Sequence, residues 1–234
     1  NEKTTTRVVK VNLIAADLTK TLTVTQVGSD APDPNRVLDP GGTSWMLFDA
    51  TGATEVPLKD TENSLLYFYS GRDNEIFPDC ISIGDSPWDG YWDKKRPDAD
   101  KKGIALDRTD WWQYISVKFT MDKYTDLSRW DFFRVDISGE QLNGQTIDRV
   151  YFDVYDVKGN KLLNAEDGTW TNESLGVYQF AIPEKDVNGK PLDLSKVAEI
   201  RISPNGHVGP AGNFKYYFDN IRLERDKDLG PEAK

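Results

Sequence analysis

Residues 149–157 read RVYFDVYDV, a strict two-residue alternation. Successive side chains on an extended strand project to opposite faces, so Val150, Phe152 and Val154 point one way and Tyr151, Asp153 and Tyr155 the other. The first set belongs in a core; the second does not. FFRVDI, residues 132–137, repeats the pattern, with Phe133, Val135 and Ile137 on one side and Phe132, Arg134 and Asp136 on the other. In WWQYISVKF, residues 111–119, Ile115, Val117 and Phe119 form the core set and Trp112, Tyr114, Ser116 and Lys118 face outward. These strands share an aliphatic inner face and an outer face of aromatic and hydrogen-bonding groups.

Further alternating segments lie at 6–15, 20–27, 44–49, 64–70, 175–183, 197–203 and 214–224, separated by stretches rich in Gly, Pro, Asn and Asp. No long segment carries the 3.6-residue period of an amphipathic helix. About ten strands of this length predict an all-β fold, a β-sandwich of the jelly-roll kind with decorated loops. In FKYYFDNIRLE, residues 214–224, Phe218 and Ile221 are three apart and cannot both face a core on a regular strand. A bulge near Asp219 and Asn220 would reconcile them and re-aim a carboxylate.

Composition narrows the chemistry. The chain of 234 residues has Lys+Arg 29 against Asp+Glu 39, a formal net charge of -10, which repels nucleic-acid phosphates and anionic lipid headgroups. Cys80 is the only cysteine and His207 the only histidine, excluding an intrachain disulfide and a His-rich zinc site. Nothing approaches the ~20-residue apolar run of a membrane-spanning helix, so neither nucleic acid nor membrane insertion is expected. A start at Asn1 fits a trimmed chain or a mature product that is secreted or held at a cell surface.

Aromatic residues make up 12% of the chain, many flanked by polar groups, which suits a neutral, hydroxyl-rich ligand. Outward Tyr and Trp are equally compatible with ordinary cross-strand pairing. SPWDGYWDKK, residues 86–95, adds Trp88, Tyr91 and Trp92 in a loop, either as a lid or extra platform over a groove or as that loop's own small core. DADKKG, residues 98–103, has the opening spacing of a calcium loop without its closing Glu and reads as a solvated loop. Trp130, Trp170 and Cys80 are expected in core packing. Glu75, Glu140, Glu166 and Glu173 read as loop or turn residues, leaving no strand-borne carboxylate pair for a glycosidase.

PLDLSKVAEIRISPN (191–205) followed by FKYYFDNIRLE resembles the C-terminal signature of jelly-roll, galactose-binding-like carbohydrate-binding modules, particularly those of family 11. DLSRWDFFRVDIS (126–138), IDRVYFDVYD (147–156) and DGTWTNESLGVYQFAIPEKDV (167–187) resemble that family's preceding segments in the same order, covering roughly residues 105–224. The resemblance implies a sandwich that binds a polysaccharide or oligosaccharide, often a β-glucan, on a concave sheet face lined by Tyr, Asp and Arg, with structural calcium. It places Tyr151, Asp153 and Tyr155 on a groove strand and Asp219 at a calcium-ligand position, with Asp49 as a partner from the N-terminal part. Residues 1–60 lack a counterpart and are expected to form an N-terminal β extension, 61–226 the binding domain and 227–234 a flexible tail.

The reading that follows is a non-catalytic carbohydrate-binding module, part of a larger multidomain or surface protein. Its candidate binding residues are Tyr151, Asp153, Tyr155, Trp112, Tyr114, Arg134, Asp136, Trp88, Tyr91 and Trp92, and its candidate Ca2+ ligands Asp219 and Asp49. A structural or adhesive module is the alternative, and a jelly-roll hydrolase or lyase a third.

Overall fold

The computed structural model describes residues 7–15, 18–26, 33–73, 75–85, 102–108, 113–140, 147–165, 169–172, 177–186, 188–206 and 214–225. In chain order the strands are β1 (Arg7–Ala15), β2 (Leu18–Gln26), β3 (Ser44–Phe48), β4 (Leu66–Arg72), β5 (Glu75–Ile76), β6 (Ile81–Asp85), β7 (Lys102–Arg108) and β8 (Tyr114–Phe119). They continue as β9 (Phe132–Glu140), β10 (Ile147–Asp156), β11 (Lys161–Ala165), β12 (Thr169–Asn172), β13 (Val177–Ala181), β14 (Val197–Gly206) and β15 (Phe214–Glu224). Two single 3-10 turns, Pro78–Cys80 and Leu127–Arg129, are the only helical elements among the described residues.

The chain divides into two compact units, Asn1–Arg36 and Val37–Lys234. The first holds the antiparallel hairpin β1–β2. The second is a β-sandwich of two antiparallel sheets. One has the order β11-β10-β14-β8-β4-β5; the other runs β12-β13-β9-β15-β7-β6, with β3 also pairing β15. β3 lies in the larger sheet through its antiparallel pairing with β15, and its Trp45 ring packs 6.1 Å from Trp130 and 6.4 Å from Phe119. The segment 227–234 lies outside the described residues.

The inner face implied by the two-residue alternation is the buried one in β8, β9 and β10. Phe133, Val135 and Ile137 on β9, Val150, Phe152 and Val154 on β10, and Ile115, Val117 and Phe119 on β8 are all buried in one hydrophobic core. Trp130 is buried in the same core and Cys80 packs against it half-buried. Phe152 stacks on Phe180 at 5.3 Å across the two sheets, each ring supplying a large apolar area.

The bulge in β15 is present. Asn220 takes φ 52°, and the pairing with β9 shifts between Asp219 and Arg222, so Phe218 and Ile221 both reach 0% exposure. Asn tolerates this left-handed backbone better than most residues.

Strands β6 and β7 were hidden in the sequence by Gly84 and Gly103, which read as turn residues. They sit opposite each other in the ladder. A Cβ on Gly84 would lie 3.3 Å from the Tyr217 ring, and one on Gly103 3.2 Å from the Phe218 carbonyl oxygen. Glycine is used there for close approach rather than for turning.

Candidate functional site

The outer face of the six-stranded sheet carries the candidate site. Core side chains of β4, β8, β14 and β10 occupy one parity, so the other parity projects outward: Tyr67 and Tyr69 from β4, Tyr114, Ser116 and Lys118 from β8, Glu199 and Arg201 from β14, and Tyr151, Asp153 and Tyr155 from β10. Strand register sets these groups in rows. Tyr67 pairs with Lys118, Lys118 with Glu199, and Glu199 with Tyr155; Tyr69 pairs with Ser116, Ser116 with Arg201, and Arg201 with Asp153.

At the centre lies Glu199, 5% exposed. Its Oε1 accepts from the Tyr69 hydroxyl at 2.6 Å, from Ser116 Oγ at 3.0 Å and from Arg201 Nε at 2.5 Å. Arg201 also donates through Nη1 to the Tyr155 hydroxyl at 3.2 Å and through Nη2 to the Tyr69 hydroxyl at 3.4 Å. Its guanidinium carbon is 4.6 Å from the centroid of the Tyr114 ring and 4.1 Å from that of Tyr155, both within cation–π range. Tyr67 and Tyr69 lie side by side, centroids 6.1 Å apart and planes within 29°.

Electrostatics follow from this packing. Burial, then the hydrogen bond to Glu199, push the Tyr69 hydroxyl pKa far above its ordinary value, and burial raises those of Tyr67 and Tyr114. Burial alone would lower the Arg201 pKa, but the bond to Glu199 and its charge reverse that and raise it. The rim is different in character. Asp153 accepts from Lys161 at 3.0 Å, with 26% of its side chain exposed.

Of the expected binding residues, Tyr114, Tyr151, Asp153 and Tyr155 come together on this face. Trp112, Trp88, Tyr91 and Trp92 lie outside the described residues. Arg134 and Asp136 require a correction: they belong to β9 in the other sheet and cannot line the same face. They are 4% and 0% exposed. On that outer side Arg134 pairs with Glu224, Arg222 Nη1 donates to Asp136 Oδ1 at 3.1 Å, and Asn220 Nδ2 donates to Asp136 Oδ2 at 3.0 Å. Register explains the arrangement. Arg134 faces Arg222 and Asp136 faces Asp219 across the ladder, and these like-charge neighbours are relieved by diagonal pairing.

Tyr67, Tyr69, Glu199 and Arg201 were not among the sequence candidates. Residues 64–70 and 197–203 read as alternating strands in the sequence, and the same two-residue parity places all four outward. Two carboxylates read as loop residues are strand residues: Glu75 in β5 and Glu140 at the end of β9.

Asp219 Oδ1 accepts from the Ala50 backbone N–H at 2.7 Å, and Asp49 Oδ1 from that of Thr51 at 2.8 Å. The bulge and the turn after β3 therefore bring both expected calcium ligands to one turn. Among the described residues no three His, Cys, Asp or Glu side chains cluster as a metal site.

No protein-family model and no curated protein matches the chain. Among solved structures, the chain is similar to an exo-β-agarase at TM-score 0.42 and 16% identity, over 79% of this chain and 26% of that one. It is similar to the family 11 carbohydrate-binding module of a Clostridium thermocellum cellulosomal cellulase at TM-score 0.35 and 16% identity, covering 74% of this chain and 95% of that one. It is similar to a family 27 module from Caldicellulosiruptor saccharolyticus, solved with mannohexaose, at TM-score 0.38 and 14% identity, covering 83% and 100%.

Proposed function

We propose that this chain is a non-catalytic carbohydrate-binding module that takes a polysaccharide, of the β-glucan class, on the outer face of its six-stranded sheet. The observation that carries the reading is the set of tyrosines Tyr67, Tyr69, Tyr114 and Tyr155 grouped around the buried Glu199–Arg201 pair, with Asp153 and Lys161 at the rim. Tyrosine rings offer apolar faces to the C–H side of a sugar, while the rim groups suit its hydroxyls. A ring covering ~100 Å² of sugar is worth roughly 2.5 kcal/mol at ~25 cal/mol per Å². Two such platforms exceed the cost of association only modestly, so binding is of tens of micromolar to millimolar strength, roughly 4–7 kcal/mol.

A non-catalytic role is supported by the engagement of the face's carboxylates: Glu199 accepts three hydrogen bonds on one oxygen and Asp153 is paired to Lys161. Structural Ca2+ held by Asp219 and Asp49, and a secreted or cell-surface setting within a larger protein, belong to the same proposal. The hydrogen bond of Asp219 to the residue after Asp49 supports the ion.

Native gels cast with soluble β-glucan, mannan or agarose test the reading, run with and without chelator. Retardation by β-glucan without release of reducing ends is expected. A folded protein retarded by no glycan would overturn it, leaving a structural or adhesive module.

A further inference from the structure

Arg201 occupies an unusual position on the candidate face. Its guanidinium lies between the Tyr114 and Tyr155 rings and reaches Glu199, Tyr155 and Tyr69 through three different nitrogens. Glu199 in turn takes the Tyr69 and Ser116 hydroxyls on the same oxygen. The hydroxyl of Tyr69 thus both donates and accepts within the protein, which leaves its ring face as what it can offer a sugar. The pair is poorly placed to bind ligand itself: Glu199 has 6% of its side chain exposed and Arg201 20%.

We infer that Arg201, held by Glu199 and braced on the buried Tyr114 ring, is a positioning residue that locks Tyr69 and Tyr155 into one pre-arranged platform, an inference that rests on the carbohydrate-binding reading. Three features require arginine. The planar cation stacks between two rings, forks to three acceptors at once, and keeps its charge in a half-buried site; a lysine ammonium stacks on rings less well and lacks the fork. Fixing the rings before the ligand arrives removes an ordering cost from binding. Platform geometry on this sheet is accordingly set by a residue that touches the tyrosines rather than the sugar.

The test separates positioning from mere support of the fold. Arg201→Met takes from the buried Glu199 its closest cation, leaving Lys118 at 4.0 Å, and is expected to lower the melting temperature, whereas the double variant Glu199→Gln/Arg201→Met removes both charges and is expected to recover most of it. Arg201→Lys keeps the charge. In all three, the near-ultraviolet circular dichroism of the tyrosines is expected to weaken and the apparent Kd for soluble β-glucan in affinity gels to rise about tenfold. Wild-type retention by either the double variant or Arg201→Lys would overturn the inference. If the wild type is retained by no glycan, the functional reading fails by itself. The dichroism then judges the pair alone, an unchanged tyrosine band in the double variant overturning the positioning role and a weakened band sustaining it.

Discussion

Asp219 Oδ1 accepts a hydrogen bond from the Ala50 backbone N–H at 2.7 Å across 169 positions of sequence. The contact ties the bulge of β15 to the turn leaving β3, and Asp219 and Ala50 are both 0% exposed. Asp219→Ala strands a buried N–H, at a cost of about 1–3 kcal/mol. Urea unfolding in the presence of chelator should show a midpoint well below wild type, while Asp49→Ala, at an exposed position, should there shift stability by about 0.5 kcal/mol or less.

Asn220 combines φ 52° with a hydrogen bond to Asp136. Asn220→Gly keeps the backbone free to adopt that conformation and loses the bond alone. Asn220→Val loses the bond and adds about 1–2 kcal/mol of left-handed strain. The valine variant is therefore expected to melt below the glycine variant; the reverse order would show that the bulge is not held by its backbone.

Arg222 and Asp136 form a buried pair on the far side of the sandwich from the tyrosines. Burial alone would lower the Arg222 pKa, but the charges of Asp136 and Glu224 reverse that and raise it. Arg222→Met leaves Asp136 buried and short of a partner, costing about 3–5 kcal/mol. Arg134→Met should behave similarly, with glycan affinity unchanged in whatever fraction remains folded. A loss of affinity at full stability would return this pair to the binding site.

Asp156 turns its carboxylate back on its own loop, accepting from the backbone N–H groups of Lys158 and Asn160 at 2.8 Å each. Burial opposes ionisation, but the Asn160 side chain and those backbone bonds together outweigh it and hold the pKa below the ordinary 3.8. At Asp193 the bonds from Ser195 lower the pKa likewise. A depressed carboxylate contributes stability above its unfolded pKa and loses it as pH falls through the folded value. Wild type should thus lose stability below about pH 4, and Asp156→Asn should show a shallower acid slope in pH-dependent melting.

At alkaline pH the sign is opposite. Tyr67, Tyr69 and Tyr114 have raised pKa values, so the stability they contribute is complete below the ordinary 10.0 and is lost as pH rises through the folded values. Ultraviolet titration should find these phenols ionising late, together with unfolding. Arg201→Met should let Tyr155 and Tyr69 lose a hydrogen-bond donor without exposing the core.

Tyr67 and Tyr155 are the half-buried rings at the two ends of the row through Lys118 and Glu199. Truncating either to Ala should cost binding about 1–2.5 kcal/mol, the worth of one sugar platform, with melting little changed for Tyr67 and lowered for Tyr155, which also holds Arg201. Isothermal titration with the glycan that retards the wild type would measure it. Full affinity in both variants would move the site off this face.

Fold class, the inner parity of β8, β9 and β10 and the bulge near Asp219 and Asn220 are legible in the chain alone, because each depends on neighbours two or three residues apart. Side-chain direction along a strand is a local property of the pleat. Tertiary structure alone decided which of two outer faces each strand serves. Arg134 and Tyr151 looked equivalent in the sequence, both outward beside core residues, yet they lie on opposite sheets because β9 pairs β13 and β15 while β10 pairs β11 and β14. Partner choice is a long-range outcome that no two-residue period encodes. It also assembled the Glu199–Arg201 pair with Tyr69, 130 positions away, whose chemistry exists only once β4, β8 and β14 are side by side.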